Sequence, residues 1–409
     1  MPAHLPALPI PEPLRGNETG SFAHYTVTVR MPEIGREVIE TNRFTPDVVK
    51  NLQALIAEIP LGKIRPLQDV DAPDAADWLR YITPYLGLNW LDSPWLFAET
   101  YFYRRILEAT GYFSPGFYKG YDPYSEQKRI SLSLANEAIQ TFYNQVWTAL
   151  KQPELSALER LLVNSLWGNQ ADLSVWSIDE DERPDYRDEA VQTRHLVIND
   201  AKPAVDALTF ENRPLKRVDF LMDNCGQELA CDLGLVFFLL ESGLAETIVL
   251  HIKPHPTFVS DATAKDVIET VETLSAHANP SVAQLAKRLG CYLKEGRLHL
   301  REHFFWTSPL PLWEMPPDLR TELSQAGLII SKGDLNYRRL IGDRHWSFTT
   351  PFEQVVEYLP TSLVALRVLK AECVVGLSEE KVRSLFNHDP EWLFNGKWGI
   401  IQFFPKHDD

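Results

Sequence analysis

RVDFLMDNCGQELACDLGLVFFLLESG, residues 217–243, holds a strand, a turn and a helix in one uninterrupted run. Val218-Asp219-Phe220-Leu221-Met222 is short and rich in strand formers, and it follows a break at Arg213-Pro214. Asp223-Asn224-Cys225-Gly226 ends it with turn-forming residues. Leu229, Leu233, Val236 and Leu240 then recur at three- and four-residue spacing, the period of a helix packed along one side. In an open α/β sheet this unit puts Asp223 and Asn224 at the carboxyl end of a strand, the edge where such folds bind ligands. The following helix points unpaired backbone N–H groups at the same place, which favours an anion. A plain Asx turn would use the same residues, so the chemistry has to be read from the rest of the chain.

Further strand-like runs flank the unit: His195–Asn199 before it, then Glu246–Ile252, Arg297–Leu300, Gly327–Ser331, Leu363–Leu366 and Gly399–Phe404. Helical patterns from Thr263 to His277 and Leu335 to Leu340 fall between them. This alternation implies a doubly wound, largely parallel sheet. Upstream, after a Pro-rich extended lead-in over residues 1–20, the periodicity is helical. Thr45–Ile59 has Thr45 to cap it and Pro46 to open it; Asp74–Leu86, Gln127–Lys151 and Leu155–Leu166 follow the same period. Trp95–Ala109 reads as a strong helix capped by Asp92 or Ser93, with Glu99 and Tyr103 on one face beside Arg104 and Arg105. The plainer reading of those charges is a buried Glu–Arg pair that supports the helix. The expectation is an α/β chain in which a mainly helical part, residues 1–170, packs on an α/β catalytic part, residues 171–409, in three αβα layers.

The chain has 409 residues, 44% hydrophobic and 23% charged, which is ordinary for a globular protein with a large core. Its net charge of −16 argues against a general nucleic-acid binder, since no basic face is available to release counterions. MPAHLPALPIPEP lacks a positive region followed by an apolar run, and Leu233–Leu240 is far shorter than the about 20 residues a membrane span needs. The four cysteines, Cys225, Cys231, Cys291 and Cys373, show neither CxxC spacing nor a neighbouring His pattern. A soluble cytoplasmic protein is expected, with no membrane partner. Cys225 lies beside the turn but no His lies near it in sequence, so packing outranks nucleophilic catalysis. The acidic run Asp179–Glu189 reads as a solvated loop.

Three sites that follow strands now carry acids or amides: Asp223-Asn224, Asp261 and Asp334-Leu335-Asn336. Two carboxylates and an amide oxygen make a hard donor set suited to Mg²⁺ or Mn²⁺. Lys253, Lys332, Arg338, Arg339, Arg367 and Lys370 fall near the same edge. Carboxylates for a metal and cations for phosphate oxygens are what metal-assisted phosphate ester hydrolysis requires.

DNCGQELACDL, HIKPHPTFVSDA, SKGDLNYRRLIGDRHW, SPWLFAETYFYRR and LWGNQADLS together resemble motifs of the damage-control phosphatases, in the branch that includes the acidic-residue methyltransferase-like proteins. The likeness runs from about residue 90 to 376. It implies a phosphatase acting on a small phosphorylated molecule, such as fructose 1-phosphate or fructose 6-phosphate, with Mn²⁺, Co²⁺, Ni²⁺ or Mg²⁺ as cofactor. By the resemblance the metal ligands fall on Asp223, Asn224 and Asp261. Asp223, Asp261 and Glu228, the acid of the DN-x-G-x-E run, are the catalytic candidates. Substrate contacts fall on Asp223, Asn224, Asp334, Leu335, Asn336, Tyr337, Arg338 and Lys370, and Asn169 and Asp172 match a GN-x-x-D run. The branch usually shows Arg-Thr-x-Lys where this chain has Arg367-Val368-Leu369-Lys370, which keeps Arg367 and Lys370 and loses a hydroxyl.

Two other readings belong to different classes. A SAM-dependent protein carboxyl methyltransferase is implied by the same branch, but the chain offers no glycine-rich turn of the G-x-G type. A non-enzymatic sugar-phosphate binding protein would bind without turnover. For Arg338, the alternative to a phosphate contact is a surface ion pair with Asp334 at i, i+4, a contribution of only ~0.3–0.5 kcal/mol.

Overall fold

The computed structural model describes residues 4–152, 154–168, 189–209 and 214–406. Seven strands form one sheet: β1 (Leu196–Asn199), β2 (Leu215–Leu221), β3 (Ala245–Ile252), β4 (Leu298–Glu302), β5 (Leu328–Lys332), β6 (Leu363–Val368) and β7 (Gly399–Phe404). They lie in the order β1-β7-β6-β5-β2-β3-β4. Pairs β6–β5–β2–β3–β4 are all parallel, while β7 runs antiparallel to β6 and carries β1 parallel to itself. All seven strands therefore stand where the sequence periodicity predicts them.

The chain moves outward from β2 through β3 to β4, then returns to place β5 on the other side of β2. The order reverses between β2 and β5, which is where a doubly wound sheet opens a crevice at its carboxyl edge. Asp223 follows β2 and Asp334 follows β5, so the two acids flank that crevice.

Side chains of the strands divide between two hydrophobic layers. Val218, Phe220 and Ile330 point into a core shared with the helices Asn136–Lys151, Leu155–Trp167, Gln227–Glu241, Ala264–Ser275 and Pro280–Glu295. Leu221, Ile329 and Ala365 point the other way, into a core shared with the N-terminal helices through Trp95–Thr110 and with residues 305–398. The result is a three-layer αβα arrangement. Helices from the first 170 residues thus serve both faces of the sheet. No helix among the described residues is long and apolar enough to cross a membrane.

Local departures from the predicted elements have identifiable causes. The run Gln127–Lys151 is two helices, Ser125–Leu134 and Asn136–Lys151, parted at Ala135. The first covers the turn after β2, where a Cβ on Gly226 would stand 2.1 Å from Ser131 Oγ. The second packs on the Gln227–Glu241 helix, so one straight rod would miss one of the two surfaces. Pro94, not Asp92 or Ser93, occupies the N-cap of Trp95–Thr110; Ser93 Oγ donates to Trp90 O instead. Pro280–Glu295, opened by Asn279 and Pro280, and the helical turns of residues 22–41 lie in stretches to which the periodicity assigned nothing.

Candidate active site

One cavity lies over the carboxyl edge of the sheet at the reversal of strand order. Asp223, Asn224, Asp261, Asp334, Leu335, Arg338 and Lys370 line it, and Phe22, Arg30, Trp95, Glu99, Tyr103 and Phe258 complete it. The turn after β2 delivers Asp223 and Asn224. The loop after β3 returns antiparallel to that turn, with Asn224 bridged to Asp261 and Ala262 N donating to Asp223 O at 2.8 Å. This return sets Asp261 beside Asp223 although it lies nine residues beyond the strand end, at Ile252. The loop turns sharply through Phe258 and Val259, both at positive φ (47° and 65°) despite having side chains. Such conformations cost on the order of 1–3 kcal/mol each and persist where surrounding packing enforces them.

Asp223 sits directly over Gly333 at the end of β5. With φ +84° and an added Cβ only 1.8 Å from Asp223 Oδ2, that position accepts glycine alone. Asn224 donates from Nδ2 to Asp223 Oδ2 at 2.9 Å and Glu228 Oε2 at 3.0 Å, while its Oδ1 accepts from Ser260 Oγ at 2.7 Å. An amide N–H group therefore bridges two buried carboxylates, the role a cation would take among the same oxygens. Lys253 Nζ lies 3.2 Å from Asp261 Oδ2 and donates to Met222 O at 2.7 Å.

Among the described residues, no group of three or more His, Cys, Asp or Glu side chains is gathered to hold a metal. The candidate set is two carboxylates and an amide. It suits a hard cation of the Mg²⁺ type, which keeps several waters and takes the rest of its shell from substrate phosphate. The two carboxylates fit such an ion, and Asn224 joins them when its amide is reversed, since Oδ1 is here turned to Ser260 Oγ.

Glu228 lies one layer below the cavity. Its Oε1 stands 3.5 Å from Lys332 Nζ, which also meets Asp232 Oδ1 at 2.9 Å and donates to Ser165 O at 2.7 Å. Burial pushes the Glu228 carboxyl up to about 7, against the pull of Lys332. Burial works the other way on Lys332, but Asp232 and Glu228 outweigh it and hold the ammonium charged.

Arg338 is neither on the surface nor paired with Asp334. Its Nε and Nη2 donate to Asp343 at 2.8 and 3.0 Å, its Nη1 donates to Glu99 Oε2 at 2.5 Å, and its guanidinium lies 3.6 Å from the Trp95 ring centroid. Burial opposes its charge, yet Asp343 and Glu99 hold its pKa well above the ordinary value. Burial likewise pushes Glu99 up, with Arg338 opposing. Glu99 therefore pairs across the cavity wall and not with Arg104 or Arg105. Those two turn away, Arg104 to Asp69 and Asp74 and Arg105 to Glu58 and Glu108.

The remaining residues of the Asp334–Ile341 helix divide by face. Asn336 Nδ2 donates to Met222 O at 3.0 Å and Lys332 O at 2.9 Å, which ties β2 to β5 beneath the cavity. Tyr337 points the opposite way, its hydroxyl on Gln402 at 2.7 Å. Arg367 stacks on Tyr337 and donates to Asp334 Oδ1 at 2.8 Å, Cys373 O at 2.5 Å and Ala371 O at 3.1 Å. It thereby braces the turn that carries Lys370, whose backbone N–H also donates to Asp334 Oδ1 at 3.1 Å. Arg339 leaves the site for Leu310 O at 2.6 Å. Val368 is buried in β6, away from the cavity lining. Asn169 and Asp172 lie outside the described residues, as does the acidic run up to residue 188.

Trp95, Glu99 and Tyr103 form an i, i+4, i+8 face on a helix buried everywhere except at Glu108, a pattern visible in sequence but read there as support. Phe22 and Arg30 have no comparable signal.

Comparison with known proteins places the chain in a family. A family model described as the damage-control phosphatase ARMT1-like domain matches residues 26–385. The chain is 34% identical to the damage-control phosphatase ARMT1 of Mus musculus, over 95% of this chain and 98% of that protein. It is 32% identical to that of Danio rerio, over 97% and 98%, and 32% identical to that of Homo sapiens, over 96% and 98%. Among solved structures, a DUF89 family protein from Pyrococcus horikoshii covers 87% of this chain and 92% of its own, at TM-score 0.45 and 16% identity.

Proposed function

This chain belongs to the damage-control phosphatase ARMT1-like family, and on that premise we propose that it is a metal-dependent phosphatase of sugar phosphates such as fructose 1-phosphate and fructose 6-phosphate. The observation that supports this most is the single cavity in which Asp223, Asn224 and Asp261 face Asp334, Arg338 and Lys370. Hard oxygen donors on one wall and the Lys370 ammonium on the other are complementary to a metal-bound phosphate monoester.

Asp223, Asn224 and Asp261 hold the divalent cation, which supplies Lewis acidity toward a phosphoryl oxygen when bound. Lys370 receives phosphoryl oxygens from the opposite side, its turn fixed by Asp334 and Arg367. Arg338 contributes mainly position, because Glu99 and Asp343 already neutralise it; it holds Glu99 and Trp95 at the cavity wall. Asp261, steadied by Lys253, is the carboxylate best placed to orient an attacking water. Glu228 lies beneath Asn224, accepting from its amide in the metal-free arrangement and, with its carboxyl pushed up to about 7, able to donate to the amide oxygen once it is reversed. The apolar side chains of Phe22, Trp95, Tyr103 and Phe258 in the lining suit the C–H groups of a sugar.

The deciding experiment is a phosphatase screen over sugar phosphates after chelation, repeated with Mg²⁺, Mn²⁺, Co²⁺ and Ni²⁺ returned singly. Turnover that disappears on chelation and returns with at least one ion is expected. Full activity in the chelated protein, or none with any ion, would remove the proposal.

A further inference from the structure

We propose that Arg30, backed by Phe22, forms the subsite for the end of the substrate remote from its phosphate, and so sets which phosphorylated sugars the cavity accepts. This rests on the phosphatase reading above and goes beyond it, since neither residue belongs to the motifs that carry the chemistry. Phe22 lies outside the matched family domain and Arg30 only just inside its start at residue 26.

Four observations converge on these two side chains. Both line the cavity, although they come from the N-terminal helical segment and the metal donors come from the sheet edge. Both are half-buried, as are Phe258 and Asp334, whereas Asp223, Asp261, Arg338 and Lys370 are buried, so they lie toward the mouth of the cavity. The helix delivering Arg30 departs from α geometry there: Thr26–Arg30 is a single π-helical turn between Phe22–Tyr25 and Met31–Thr41. An inserted residue of this kind re-aims the side chains that follow it and recurs at functional sites. Finally, Arg30 stands over the Phe22 ring at 5.4 Å, and Phe22 is itself held by Phe394 at 5.1 Å and Trp95 at 6.1 Å. The guanidinium is thereby seated against an aromatic cluster that reaches Trp95.

Chemistry then divides the cavity by depth. Phosphate binds at the floor, where Lys370 and the carboxylates lie. A sugar extending from it passes Trp95 and Tyr103 and meets Arg30 with its distal hydroxyl or carbonyl oxygens. Arginine donates to such oxygens from a planar fork and stacks at the same time, which lysine does not reproduce.

The test is steady-state kinetics of Arg30→Ala and Arg30→Lys on a hexose phosphate, with inorganic phosphate as a competing inhibitor and Mn²⁺ binding by calorimetry. Loss of a charge-assisted contact raises KM for the hexose phosphate about tenfold or more in Arg30→Ala, with kcat within about threefold. Inhibition by inorganic phosphate and Mn²⁺ affinity stay unchanged, because neither ligand reaches the mouth. Arg30→Lys falls between wild type and Arg30→Ala, and Phe22→Ala shifts KM in the same direction by less. An unaltered KM overturns the proposal. So does a parallel loss of phosphate inhibition, which would make Arg30 a floor residue, or a fall in thermal stability with no change in KM. A wild-type protein inert with every ion would instead defeat the phosphatase reading. Calorimetric binding of the hexose phosphate to wild type and Arg30→Ala would then still decide the role of Arg30.

Discussion

Asp223, Asn224, Asp261, Asp334 and Lys370 reach the cavity from short connections that leave strand ends, whereas Phe22, Arg30, Trp95, Glu99 and Tyr103 reach it from helices within the first 110 residues. The strand-end wall is held by backbone: a bridge between Asn224 and Asp261, and a glycine at position 333 beneath Asp223. The helical wall is held by side chains, through Glu99 on Arg338 and Trp95 on its guanidinium. Backbone restraint fixes donors to fractions of an ångström, which a metal requires. Side-chain restraint lets a wall be reshaped by substitution without moving the donors. The strand-end wall should therefore govern rate, and the helical wall stability and substrate fit.

The largest effect expected on that division is loss of a donor. Asp223→Ala and Asp261→Ala should each lower metal-supported kcat/KM on the order of 10³-fold, read by steady-state kinetics across Mn²⁺ concentrations. Full turnover in both variants would leave the strand-end wall without its role.

Arg338→Ala should act chiefly on stability. It strands Glu99 and Asp343 in the interior, and breaking a buried pair costs about 3–5 kcal/mol. Urea unfolding should show that loss, and Arg338→Ala combined with Glu99→Gln should recover part of it. An unchanged midpoint would show that the helical wall does not depend on this pair.

Much of this arrangement is legible in the sequence because strand ends are local features. Val218–Met222 followed by Asp-Asn and a helical period already places Asp223, and Gly327–Ser331 followed by Lys-Gly-Asp places Asp334. Asp261 is recognisable as an acid after a strand, but the reversed loop that brings it to Asn224 depends on positive φ at Phe258 and Val259, which no local preference announces. The helical wall is less legible still. Glu99 has two arginines within reach on its own helix, yet it pairs with Arg338 239 residues away. Adjacency in sequence says nothing about which side of a fully buried helix a charge faces. Phe22 and Arg30 enter only through tertiary packing, from a segment where Pro, Gly and polar residues blur any period. Asn336 and Tyr337 sit in one motif with Asp334 and Arg338. Only the helix geometry sorts them into lining and bracing residues.

Lys370→Ala comes next in size. It should reduce kcat/KM on the order of 10²-fold while Mn²⁺ affinity stays nearly constant, since its contact is to phosphoryl oxygen. Calorimetry beside kinetics checks both halves, and an equal loss of metal affinity would erase the distinction between floor and donors.

A smaller effect concerns the support behind the helical wall. His255 lies between Phe113 and Phe304, near Asp74, and burial holds it down to about 4, with Asp74 pulling the other way. Unfolded, it titrates near its ordinary value of 6.5. Between those values the unfolded chain binds the extra proton, so stability falls as pH drops from about 6.5 toward 4. The His255 share between pH 7.5 and 5 is about 2 kcal/mol. His255→Asn should lose pH dependence by that amount in urea titrations at the two pH values, and an identical pH profile would contradict it.

The smallest expected change is at Cys225, which sits among the donors in sequence but not in function. Burial raises its thiol well above the ordinary range, with Lys128 opposing, so little thiolate forms near neutrality. Cys225→Ala should keep kcat/KM within about threefold. A collapse of turnover with normal folding would bring nucleophilic chemistry back into consideration.

The most direct measurement is anomalous diffraction at the manganese edge from crystals of the full chain grown with Mn²⁺. One peak bounded by Asp223, Asn224 and Asp261 is expected, with the Asn224 amide reversed so that Oδ1 faces Asp223 and Nδ2 faces Ser260. No peak at that position, or one seated beside Glu228 and Asp232 with Asn224 still bridging the carboxylates, would contradict it.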